Sequence, residues 1–246
     1  MKKFILSVSC IICTSALFAQ IQFDHSLKRK ADSLKNAVAK NLNIPASLSN
    51  DEIIQGLKEA LTLGTSNSAI QLGAENGFFL NPQLKINMPA EAAKVESTLR
   101  KMGMGKMVDN AILSMNRAAE DASGEVKDIF IQAITNMTIT DGMNILKGNN
   151  TAATDYLKSS TTVQLTEKMR PIIENSLAKV NATKYWKDVF TNYNQFSVKK
   201  INPDLVAYVT DKALAGLFVT IAEEEQKIRK DPAARVSEIL KKVFAQ

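Results

Sequence analysis

The stretch that decides the fold is residues 202–229, NPDLVAYVTDKALAGLFVTIAEEEQKIR. It opens on Asn202-Pro203, a capping residue followed by proline, which is typical of a helix start. The first half of the predicted helix is apolar almost all round, and such a helix belongs at the centre of a bundle. Its apolar positions are Leu205, Val206, Tyr208, Val209, Ala213, Leu214, Leu217, Phe218 and Ile221. The sequence therefore predicts an all-α fold, a single bundle built around this helix.

The segments before it also have helical patterns. Ser49 to Glu52 forms a capping box that opens a helix running to about Gly64. Pro89 suits the first position of a helix through Met102, and residues 106–122 place their apolar side chains on one stripe. Ser123 is expected to cap the helix that follows. We find no strand with convincing alternation and no internal repeat.

Helical patterns continue through the second half of the chain. A short helix is predicted from Thr140 or Asp141 to Gly148, and Thr151 and Thr161 are each expected to begin another. We expect a turn at residues 193–196 and a final helix after Asp231-Pro232.

The N-terminus has the features of an export signal. Residues 1–19 combine a basic start, an uncharged apolar stretch and a cleavage site after Ala19, which predicts a signal peptide. Residues 20–47 are predicted to be an amphipathic helix and linker, and residues 48–246 the helical domain. The mature chain is expected to be soluble and periplasmic, with no transmembrane segment.

Both cysteines, Cys10 and Cys13, lie in this leader, so the mature protein has no thiol. A lipoprotein is the alternative, but Cys10 lies halfway through the apolar stretch and Cys13 lacks small residues before it.

Charge and composition exclude several function classes. The net charge of +6 falls to +4 when the two leader lysines leave, and basic residues are scattered among acidic ones, so we expect no nucleic-acid partner. The one histidine, His25, stands near the start of the mature chain. Histidine-assisted nucleophiles and helical paired-histidine metal sites are therefore excluded within the domain. We predict no cofactor and assign no metal site and no catalytic residue.

Carboxylates are the remaining acid–base groups. Glu225 falls on the apolar face of the central helix, and Arg229 is one turn further on, which favours a structural ion pair over an acid–base or metal role. Arg117 and Glu120 lie far from the apolar stripe of their helix. They are either solvated or part of a second ion-pair layer with Asp231 or Glu225.

Two groups of residues are candidates for ligand contact. Phe78 and Phe79 are adjacent in the longest stretch without helical period, so either the core or a ligand must cover them. Met102, Met104 and Met107 bracket two glycines. Their side chains suit core packing, contact with an apolar ligand or, as thioethers, binding of Cu(I).

Several blocks of this sequence resemble one family. They are NRAAE at 116–120, MTITD at 137–141, ILKG at 145–148, YVT at 208–210, GLF at 216–218, IAEEE at 221–225, IR at 228–229 and DPAAR at 231–235. In this order they resemble the bacterial family called domain of unknown function 4197, over residues 48–244. The resemblance implies an exported helical protein of Gram-negative bacteria. It implies no activity, substrate or catalytic residue.

We therefore predict a periplasmic binding module for an apolar small molecule, with the Gly77–Pro89 loop as a lid and methionine-rich helices as walls. The alternative is a structural or assembly factor that binds another envelope protein through the helix at residues 24–42. An enzyme using carboxylates, with Glu225 as its candidate, is the third hypothesis.

Overall fold

The computed structural model describes residues 49–196, 200, 204–235 and 241. Within these ranges the regular secondary structure is helical, with no strand, so the all-α prediction is confirmed. The predicted signal peptide, the segment at residues 20–47 and most of the last predicted helix lie outside them. The α-helices of the described ranges are α1 (Asn50–Gly73), α2 (Ala93–Lys101), α3 (Gly105–Ser123), α4 (Lys127–Asn136), α5 (Ile139–Lys147), α6 (Ala152–Ala178), α7 (Ala182–Phe196) and α8 (Leu205–Lys230); 3₁₀ turns form at Ala90–Ala92 and Pro232–Ala234.

Helix α8 is the central helix of the bundle, and it packs against α6, α1 and α3. Its N-cap is Asp204, which accepts a 2.9 Å hydrogen bond from the Ala207 N–H and pairs with Arg170 at 2.7 Å. Burial opposes ionisation of Asp204, but these donors lower its pKa below the usual value. By length and composition α8 could cross a membrane, yet 61% of its most apolar window is buried in the bundle. A helix at the centre of a bundle is apolar on most of its faces because neighbouring helices cover most of its surface.

Helix α1 begins at the predicted capping box but is longer than the sequence predicts. Ser49 and Glu52 exchange the two bonds of the box, at 3.3 and 2.8 Å. The predicted end at Gly64 is wrong, because the helix continues to Gly73. Thr65 and Ser68 are buried beyond that glycine, and each hydroxyl donates 2.8 Å to the carbonyl four residues earlier. Polar side chains satisfied in this way can enter a core without ending the helix.

Three other predicted boundaries are wrong. Thr161 does not begin a helix: it is buried inside α6 and its hydroxyl bonds the Leu157 carbonyl at 2.6 Å. Ser123 is the last residue of α3 and does not cap α4, whose N-cap is Val126. Residues 193–196 lie within α7 and form no turn. Thr and Ser mark helix starts only when their hydroxyls find the next turn's N–H groups.

The loop at residues 74–89 is anchored in the core by Phe78. This side chain is fully buried, and its ring lies against Gly216 of α8. A Cβ added at Gly216 would lie only 2.6 Å from Phe78 Cε1. The glycine therefore makes room for the ring.

This close approach leads to a prediction for Gly216→Ala. We expect it to lower the free energy of unfolding by about 1–3 kcal/mol, because the Phe78 ring is enclosed and must move. The matched control is Gly64→Ala, also in a helix interior, where the new Cβ meets Glu224 Cβ at an ordinary 3.4 Å. That change should be neutral or stabilise by up to about 1 kcal/mol. Urea unfolding of both variants measures the difference, and equal effects would contradict the steric explanation.

Candidate functional site

Glu225 caps the start of another helix from a distance in sequence. Its carboxylate accepts the backbone N–H groups of Ala153 at 3.0 Å and Thr154 at 2.9 Å, and the Thr154 hydroxyl at 2.8 Å. These are the second and third residues of α6, whose own N-cap residue Thr151 makes no side-chain cap bond. An anion is well placed at a helix N-terminus, where unpaired N–H groups and the helix dipole meet. The Glu225 carboxylate therefore joins α8 to α6.

Arg229 completes this cluster. Its guanidinium contacts Glu225 Oε1 through Nε at 2.9 Å and Nη2 at 2.8 Å, and Nη2 also donates 2.9 Å to the Ile145 carbonyl at the end of α5. Both side chains are largely buried. Beside them is a cavity of about 20 Å³, which has room for a single water molecule. The pair thus links three helices and leaves no space for a substrate.

Glu120 holds the loop at residues 74–89 in the same manner. It is 3% exposed, and its Oε1 accepts the N–H groups of Phe78 at 3.0 Å and Phe79 at 3.1 Å. Its Oε2 pairs with Arg117 at 2.5 Å. Arg117 also reaches Glu75 and Asn76 of the loop at 3.1 and 2.9 Å. The predicted contact of Arg117 and Glu120 with Asp231 or Glu225 is therefore wrong, because the two side chains bond to the loop at residues 74–89 instead.

Asn116 and Tyr208 fix the far end of the loop. Asn116 Oδ1 accepts the Ile86 N–H at 2.9 Å, and its Nδ2 donates to the Ile86 carbonyl at 2.9 Å. The Tyr208 hydroxyl donates 2.8 Å to the Asn87 carbonyl, and burial raises the pKa of this phenol. An asparagine side chain can bond both the N–H and the carbonyl of one residue because it carries both a donor and an acceptor.

Both phenylalanines of the predicted ligand site belong to this loop. Phe78 lies in the core, as described above. Phe79 is half-buried, with Lys85 Nζ 4.3 Å and the Arg117 guanidinium 5.9 Å from its ring centroid. Cations over an aromatic face are favourable and cover it from water. The loop is thus bonded along its length to α3 and α8, and a lid role finds no support in these contacts.

The three predicted methionines lie together on the surface, at the corner between α2 and α3. Met102, Met104 and Met107 are 68%, 39% and 46% exposed. We call these three residues the methionine corner. Gly103, at φ +80°, turns the chain between the helices, and the Met104 N–H bonds the Leu99 carbonyl at 2.9 Å. The left-handed conformation explains the glycine at this position.

Charged residues surround the methionine corner. Arg100 binds Glu96 at 3.0 Å and Asp109 at 2.8 Å, which ties α2 to α3. Hydrogen bonds to Asp109 and Glu96 raise the pKa of this guanidinium. Lys101 and Lys106 are exposed: Lys101 precedes Met102, and Lys106 lies between Met104 and Met107 in the sequence. The methionine corner therefore has two exposed lysines beside its apolar residues in the chain.

The described residues offer little for acid–base or hard-metal chemistry. They contain no cluster of three histidine, cysteine or acidic side chains that could hold a metal ion. The buried carboxylates Glu120 and Glu225 already accept several hydrogen bonds each. Two larger spaces are open grooves on the surface. One, of about 730 Å³, runs along α1 and α4 and is lined by Ile54 and Ile134 among others; the second, of about 460 Å³, lies on α2.

Sequence reasoning found Glu225 and Arg229 but missed what they bind. The signal for Glu225 was a carboxylate on an apolar helix face. No signal in the sequence pairs it with the start of α6, because the residues involved are more than 70 positions apart. The sequence analysis also missed the role of Asn116: its position one helical turn after Ile112, at the edge of the apolar stripe, was the available signal, and the structure shows it buried.

Comparison with known proteins gives one match. The model of a family described as "Protein of unknown function (DUF4197)" matches residues 47–245. No curated protein and no solved structure matches the chain. Two blocks that carry the family resemblance, NRAAE at 116–120 and IAEEE at 221–225, supply the buried carboxylates described above.

Proposed function

The chain belongs to the DUF4197 family of proteins of unknown function, and from its surface we propose that it is a binding protein and not an enzyme. In this proposal it is exported to the periplasm and holds a ligand at the methionine corner, on the outside of the bundle. The exposure of Met102, Met104 and Met107 carries the proposal. Three long apolar side chains within six residues keep between 39% and 68% of their surface in water, where this surface gains nothing from the hydrophobic effect.

The arrangement of the interior supports a surface site. A binding protein for an enclosed apolar molecule needs a cavity of several hundred Å³. The space beside Glu225 is about 20 Å³, and Phe78 fills the core under the loop. Among the described residues, the methionine corner therefore fits a ligand of apolar or soft chemistry better than the interior does.

An envelope protein docked at the same corner is the second candidate. Methionine side chains adapt to different partner surfaces because they are unbranched and polarisable. Lys101 and Lys106, next to the methionines in the chain, would favour a partner with acidic residues around an apolar patch.

Native mass spectrometry of the protein purified from its own cell envelope tests the proposal. We expect the wild-type chain to carry a bound species, and Met102→Gln/Met104→Gln/Met107→Gln to lose it, because glutamine keeps the length but removes the apolar, soft surface. The control is Val163→Gln, because Val163 is an apolar residue of comparable exposure (70%) that lies on a different helix, α6. A small added mass indicates a ligand, and a protein mass indicates the second candidate. Identical spectra for the wild type and the triple variant would refute the site.

A further inference from the structure

We propose that Met102, Met104 and Met107 form a three-thioether site for a soft monovalent metal ion, Cu(I) or Ag(I). This inference rests on the proposed function, since it names the ligand of the same corner. It concerns binding only, with no change in oxidation state.

The first support is the selective exposure of these three methionines. Among the described methionines, the other five are buried or half-buried, and they are Met88, Met115, Met137, Met143 and Met169. Packing explains those five, because methionine fills irregular gaps in a core. Packing does not explain the three that project into solvent within one corner.

The second support is the backbone geometry, which places the three residues at one turn between α2 and α3. The Met107 N–H bonds the Met104 carbonyl at 3.0 Å, so Met104, the N-cap residue of α3, and Met107 stand one turn apart at the start of this helix. Side chains at this spacing have Cβ atoms about 5–6 Å apart. Met102 precedes the Gly103 turn, and its N–H is fixed to the Thr98 carbonyl at 3.0 Å. Each methionine side chain turns about three torsions, and the proposed site brings the three sulfurs together by side-chain rotation.

The third support is chemical selectivity. Thioether sulfur is a soft, neutral ligand that prefers Cu(I) and comparable ions to Zn²⁺, Mg²⁺ or Ca²⁺. The exposed Lys101 and Lys106 repel any cation, and they repel a divalent ion more than a monovalent one. Arg100 adds little to this repulsion because Glu96 and Asp109 neutralise it. Ligand softness and local charge thus select the same class of ion.

Thioethers also give the site a distinctive pH dependence. Imidazole and thiolate ligands must lose protons before they bind a metal, so their affinity falls as the pH falls. A thioether has no proton to lose in this range. Binding at the methionine corner should therefore be equally strong at pH 5 and pH 8.

The test is a titration of the full chain with silver nitrate by isothermal calorimetry. Cys10 and Cys13 are replaced by serine so that no thiolate competes. We expect one Ag(I) per chain, with the same affinity at pH 5 and pH 8. Met102→Leu/Met104→Leu/Met107→Leu should bind at least about tenfold more weakly with unchanged thermal melting, because leucine keeps the apolar volume and removes sulfur. Met143→Leu is the matched control and should bind as the parent does.

The outcomes separate this inference from the proposed function. Equal Ag(I) binding by the parent and the leucine triple variant, or none by the parent, overturns the metal site. Weaker binding at pH 5 overturns it too, because it indicates an imidazole ligand, which must lose a proton before it binds the metal. If the leucine variant retains the species seen in native mass spectra and the glutamine variant loses it, the corner binds an apolar ligand: the proposed function then stands and the metal site does not.

Discussion

Replacing Glu225 by alanine is expected to lower the free energy of unfolding by about 3–5 kcal/mol, because a buried partner charge is then left unpaired. Four groups lose this acceptor at once: the Ala153 and Thr154 N–H groups and the Thr154 hydroxyl at the start of α6, and the Arg229 guanidinium. Arg229 cannot turn to water easily, since its side chain is 13% exposed and also bonds the Ile145 carbonyl. Urea unfolding followed by circular dichroism measures the loss.

Two further variants make this result interpretable. Glu225→Gln keeps one acceptor oxygen and the side-chain shape, so it should lose less stability than alanine. Glu223→Ala removes an exposed carboxylate from the same helix and should change stability by less than about 0.5 kcal/mol. If Glu225→Ala is as stable as Glu223→Ala, the cluster does not hold the helices together. Glu225 would then again be a candidate for catalysis or ligand binding.

Replacing Glu120 by alanine is expected to cost about 2–4 kcal/mol, since two N–H groups lose a shared acceptor. The expected cost is below that for Glu225 because the paired Arg117 is one-third exposed and can be hydrated. The loss should be local. Hydrogen exchange at Phe78 and Phe79 should rise more than exchange in α6, because the carboxylate fixes this loop to α3.

The control for this second prediction is Glu125→Ala, which removes an exposed carboxylate just after α3. It should leave both stability and exchange of the loop unchanged. A Glu120 variant whose loop exchanges at the parental rate would show that Asn116 and Tyr208 hold the loop by themselves.

Helix type was predictable from the sequence, and several helix ends were not. Apolar spacing placed α3 and α8 to within a few residues, because a helix in a bundle must bury one stripe whatever its neighbours are. The boundaries predicted at Gly64, Thr161 and Ser123 are wrong, because a glycine, threonine or serine can also lie within a helix that is packed in a bundle. Inside the bundle, Thr161 bonds its own helix and Gly64 admits α8 close to α1. Neighbouring helices decide which of the two roles applies.

The candidate sites divide in the same way. A carboxylate on the apolar face of α8 made Glu225 conspicuous in the sequence, and helix spacing alone gave Arg229 as its partner. Glu120 lies away from the stripe of α3, so its burial depends on the loop that folds over that face. Exposure of the methionines was likewise undetermined, because Met107 and Met115 both belong to the apolar stripe of residues 106–122 and end up 46% and 1% exposed.

By itself the sequence determined that this chain is helical, that α8 is its centre, and that it belongs with one family. These properties follow from local spacing and from order along the chain. Only the tertiary structure decided that the carboxylates of Glu120 and Glu225 bond to segments distant in the sequence, and that Met102, Met104 and Met107 are exposed. The physical reason is that burial and hydrogen-bond partnership depend on which surfaces meet, and residues far apart in sequence supply those surfaces.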